Sequence, residues 1–130
     1  MYMAQSRFGA ARARYQNVDL TSRIEGASPH ALVAILFEEL LKSLDALQVA
    51  WARKDFTQRG ARQQRALSIL HGLEASLDVE NGGDVAASLA AIYAEARRLV
   101  IAAGKQNDPS SITRAREMLA EIATAWKAIA

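Results

Sequence analysis

Ser28-Pro29 opens a run in which Leu32, Val33, Leu36, Phe37, Leu40, Leu44 and Leu47 recur at steps of mostly three or four residues. That spacing demands an amphipathic helix whose apolar stripe is buried against other helices. Ser28 suits the N-cap, where its hydroxyl accepts from a free amide, and Pro29 suits the first helical position. The same period returns three times, in Ala66, Leu67, Leu70, Leu73 and Leu77, in Val85, Leu89, Ile92, Ala96, Leu99 and Ala103, and in Ile112, Ala115, Leu119, Ile122, Trp126 and Ile129. No strand-like alternation competes.

Breakers separate the four segments, each of about 20 residues. They are Pro29, Arg53-Lys54-Asp55, Asn81-Gly82-Gly83 and the stretch from Gly104 to Pro109. The paired glycines are expected to end the second helix and turn the chain. Short connections favour antiparallel neighbours, so residues 28–130 are expected to form an all-α, up-down antiparallel four-helix bundle. Residues 1–27 show scattered apolar side chains without a sustained stripe, and are expected to be a mobile or loosely attached N-terminal segment.

At 130 residues the chain suits one domain with its own core. It contains no cysteine, which removes disulfides, thiolate metal sites and cysteine nucleophiles from consideration. Sixteen basic against 14 acidic residues leave a formal charge of +2. Basic residues cluster at Arg53, Lys54, Arg59, Arg62 and Arg65, but without a recognised nucleic-acid motif they read as a solvated helix face. No segment is apolar enough for membrane insertion and no secretory leader is evident, so a cytoplasmic location is expected.

Chemistry-bearing constellations are sparse. His30 and His71 lie on different helices, and neither sits in a Glu-x-x-His metal pattern. Asp78, Glu80 and Asp84 lack calcium-loop spacing. Ser28 beside His30 is explained by capping. His71-Gly72-Leu73-Glu74 resembles the histidine of phosphotransfer domains, but Glu74 stands where a cation would steady the phosphoryl group. The expectation is a protein that is not an enzyme and needs no metal or cofactor, with phosphotransfer through His71 as the alternative.

More informative are apolar residues away from the stripes. Helical phase puts Ile35 among Glu38, Glu39 and Lys42, and Ile101 far from the third stripe, which Tyr93 and Val100 widen on one flank. With Ile69 they outline a candidate groove, of the kind that takes an amphipathic helix or a disordered tail. The N-terminal segment around Tyr15 is a candidate cover for it.

These residues carry a family resemblance. Tyr15, then Ala27-Ser28-Pro29-His30-x-Leu32 with Ile35-Leu36-Phe37-Glu38, then Ser76-Leu77-Asp78, Gly82-Gly83-Asp84-Val85-Ala86, Leu89 and Ile92-Tyr93, then Asn107-Asp108 and Trp126, follow in the order seen in the flagellar secretion chaperones, the FliS family. The chain departs from the family pattern at Glu39 and at Glu95-Ala96, which bears on groove shape. The resemblance implies a four-helix bundle that holds the disordered C-terminal region of flagellin, prevents premature polymerisation and delivers it to the flagellar type III export gate. On this reading the expected flagellin contacts are the residues chosen by helical phase, Ile35, Ile69, Tyr93, Val100 and Ile101, together with Tyr15. Self-association into a weak homodimer through an uncovered groove stays open, and an all-helical adaptor with another client is the remaining alternative function.

Overall fold

The computed structural model describes residues 19–129, apart from the side chain of Val79. Four helices follow one another: α1, Pro29–Ala52; α2, Phe56–Ala75; α3, Val79–Gln106; and α4, Ser110–Ala128. Among the described residues there is no strand, and no helix is long and apolar enough to cross a membrane.

Each helix starts where a short polar side chain satisfies free amides. Ser28 Oγ accepts from the Ala31 amide at 3.1 Å, as its position ahead of Pro29 predicts. Asp55 does the same for Gln58 and Asp78 for Asn81, both at 3.1 Å. Asp108 accepts from both the amide and the hydroxyl of Ser110. At the far end of α3, Asn107 takes the left-handed conformation (φ 52°) and closes the helix.

The helices pack as a ring, α1 on α2, α2 on α3, α3 on α4 and α4 on α1. Three-residue connections force antiparallel neighbours. The α1–α4 seam shows this directly: Gln48 donates to Thr113 at 2.8 Å and Arg116 to Asp45 at 2.7 Å near the end of α1, while the Trp126 indole donates to the His30 carbonyl at 2.9 Å near its start. Gln63 reaches the Val100 carbonyl and Glu74 pairs with Arg97 across α2–α3.

The core joins Phe37, Leu40, Leu44 and Leu47 to Ala66, Leu70 and Leu73, with Tyr93, Ala96, Leu99, Val100 and Ala103 from α3 and Ile112, Ala115 and Leu119 from α4. Phe37 and Tyr93 meet across the ring at a centroid distance of 6.1 Å.

Two expectations need correction. Helix α2 ends at Ala75 with Ser76 as its cap, so the glycine pair does not end it. Asp78 has already begun α3 before the glycines arrive, and Gly83 (φ 56°, ψ −136°) is a break inside that element. The buried side of α3 is rotated toward Tyr93 and Val100, which leaves Val85 65% exposed; enclosing a phenol ring against Phe37 outweighs enclosing Val85. Ile35, which helical phase turns from the main core and leaves to be either exposed or covered, is covered. Residues 19–25 are helical, and Arg23 donates to Glu38 at 2.7 Å, one turn beyond Ile35, which fastens this short segment to the outer face of α1.

Candidate functional site

At the end of the bundle where α1 begins and α4 finishes, the helices leave an apolar cleft of about 180 Å³. Val33 enters from α1, Leu77 from the α2–α3 turn, Val85, Leu89 and Tyr93 from α3, and Trp126 from α4. The break at Gly83 shapes this end, because the short turn begun by Asp78 departs from the axis of the long helix that follows. A β-carbon at Gly82 would stand 2.6 Å from that of Ala86, so Gly82 permits the close approach of the turn, while Gly83 supplies its positive φ.

Trp126 is held in two ways. Its indole N–H donates to the His30 carbonyl, and its ring stacks on the His30 imidazole with centroids 4.6 Å apart and planes 10° from parallel. Among the described residues, His30 Nε2 is enclosed without a hydrogen-bond partner. Tyr93 forms the floor; burial pushes its phenol up to about 12, so it stays neutral throughout the physiological range. The wall is therefore rigid and aromatic on one side and aliphatic on the other. Val85 and, beyond the end of α4, Ile129 extend apolar surface outward, at 65% and 67% exposure.

Of the residues that the sequence singles out, Tyr93 alone borders this cleft, and it does so as a core residue, 1% exposed. Ile35, Ile69 and Val100 are buried elsewhere, and Ile101 is half-buried. Tyr15 lies outside the described residues. Val33, Leu77, Val85, Leu89 and Trp126 complete the cleft, although the apolar pattern assigns several of them to the core. Their shared signal is position along the axis: each lies within a few turns of a helix end or break.

His71 is exposed on α2, and Glu74, one turn on, is engaged by Arg97. Among the described residues no group of three or more His, Cys, Asp or Glu side chains converges as a metal site.

The sequence profile of the family described as Flagellar protein FliS matches residues 11–130. This chain belongs to the FliS family. The flagellar secretion chaperone FliS of Salmonella typhimurium is 33% identical over 116 residues, covering 88% of this chain and 86% of its own. The chaperone FliSB of Pseudomonas aeruginosa is 29% identical over 119 residues, covering 92% and 94%. FliS of Vibrio cholerae is 30% identical over 115 residues, covering 88% and 85%. Family membership spans all four helices, so the cleft lies wholly within the shared region.

Proposed function

We propose that this protein is a cytosolic export chaperone that binds the disordered C-terminal region of flagellin, keeps it from polymerising, and presents it to the flagellar export gate. The observation that carries this reading is an apolar cleft open at one end of a FliS-family bundle. A disordered tail anchors one or two large apolar side chains there and runs on along the helix grooves, meeting its ordering cost only on binding. Masking the tail needs no covalent step. The segment around Tyr15 is proposed as a displaceable cover or as the contact for the gate, and Ile35, Ile69, Val100 and Ile101 act through the packing that supports the grooves.

The first test is co-purification from cell extract with full-length flagellin and with flagellin lacking its C-terminal tail. Retention of the first and loss of the second is expected; equal capture of both would overturn the assignment. Val85→Glu places charge on an exposed rim residue, so it is expected to weaken tail binding about ten-fold or more with little change in thermal midpoint. Tyr93→Glu is a poor probe of the same site, because a buried carboxylate would unfold the bundle. Unchanged calorimetric affinity in Val85→Glu would remove the cleft from the binding surface.

A further inference from the structure

The opposite end of the bundle, where the α1–α2 and α3–α4 turns meet, carries a second surface. Val49 and Phe56 are 48% and 71% exposed there. The Arg59 guanidinium lies 3.4 Å from the Trp51 ring centroid and 5.0 Å from that of Phe56, a cation shared by two aromatic rings. Sequence reading takes these basic residues for a solvated face; the fold gives them an aromatic platform.

Trp51 also borders a cleft of about 440 Å³ between α1 and α4, together with Gln48, Ala52, Pro109, Ser110 and Thr113. Cations stand on both sides of it in the chain. Arg53, Lys54, Arg59 and Arg62 come from the α1–α2 turn and the start of α2, and Lys105 and Arg114 flank the α3–α4 turn. Among the described residues, none of the six belongs to an ion pair. Only two carboxylates fall within residues 48–63 and 104–114, and both are occupied at helix starts, Asp55 on Gln58 and Asp108 on Ser110. Against a formal charge of +2 for the whole chain, this end is strongly positive.

We propose that this end docks an acidic linear peptide, a segment of a partner protein in which Asp or Glu residues flank one large apolar side chain. The apolar side chain packs on Phe56 and the Trp51 cleft, and the carboxylates meet the arginines, which take them by paired N–H donors. Arginine and exposed aromatics are the residue types that concentrate binding energy at protein interfaces. A nucleic acid fits less well: Arg59 already covers Trp51, and the cations flank a short cleft where a strand needs a continuous track.

The test uses the full chain and a synthetic peptide of about a dozen residues, alternating Glu and Asp around a central Phe, beside a control with Gln and Asn at every acidic position. The acidic peptide is expected to change tryptophan fluorescence and to bind at least about five-fold more weakly at 0.3 M salt than at 0.05 M, because exposed charges are screened. Phe56→Ser and the double variant Arg53→Glu/Arg114→Glu all replace exposed side chains, so folded controls by circular dichroism are expected to match the parent. Each variant is expected to lose about ten-fold or more in peptide affinity while still capturing flagellin at the other end. Equal binding of the amide control, undiminished binding by both variants, tighter binding of a single-stranded oligonucleotide, or self-association of the chain in place of peptide binding would each overturn the proposal. None of these outcomes touches the flagellin reading, which rests on the opposite end.

Discussion

A hydroxyl at Ser28 decides where the first long helix begins, and among the described residues its bond to the Ala31 amide is the only side-chain cap that α1 has. Ser28→Ala is expected to cost about 1 kcal/mol, read as a lower midpoint in urea with an unchanged slope. No change would mean that solvent serves that amide equally well. Glu38 poses a different test. The hydrogen bond from Arg23 holds its carboxyl below the usual range, so the folded state binds fewer protons than the unfolded chain. Its stabilising effect is complete above the ordinary glutamate range and is lost as pH falls through the lowered folded value. Both side chains are about 40% exposed, so the effect is small. A shallower acid-side decline of the thermal midpoint is expected in Glu38→Gln; identical declines would show the pair to be energetically neutral.

At the level of elements, Gly83 is the sharpest constraint. Its backbone occupies a region that side chains with a β-carbon avoid, although space for the carbon itself is open. Gly83→Ala is therefore expected to destabilise by about 2 kcal/mol through strain alone. An unchanged melting temperature would mean that the break moves at no cost. The same position explains what the sequence revealed and what it hid. Periodicity located all four helices, since each must bury a stripe, and Ser28-Pro29 set the start of α1. The glycine pair misled because glycines commonly follow a helix, whereas here Asp78 caps ahead of them and the break is absorbed. Binding positions were harder still. Helical phase orders residues around an axis and says nothing of place along it: Tyr93 and Val100 are closed over by neighbouring helices, while Val85, near the break, stays open.

Considered whole, the molecule has one core that draws on every helix, and so it is expected to unfold as one unit. Its two tryptophans stand near opposite ends, Trp51 and Trp126. Single-tryptophan variants, Trp51→Phe and Trp126→Phe, are expected to show fluorescence transitions that coincide with loss of helical circular dichroism within each protein. A fluorescence midpoint well below the helical one would reveal an end that opens by itself. The family assignment was legible from the ordered motifs from Tyr15 to Trp126; the aromatic and basic end was not, because Trp51, Phe56 and Arg59 acquire meaning only once the first turn folds back. The three-residue connections carry one last consequence. Every neighbouring pair but one closes through a turn of minimal length, so most contacts form between stretches close in sequence, and such chains fold quickly. The α1–α4 seam instead joins stretches up to 96 residues apart, so its closure carries the largest loop entropy of the four contacts, and the indole of Trp126 on the His30 carbonyl helps to offset it.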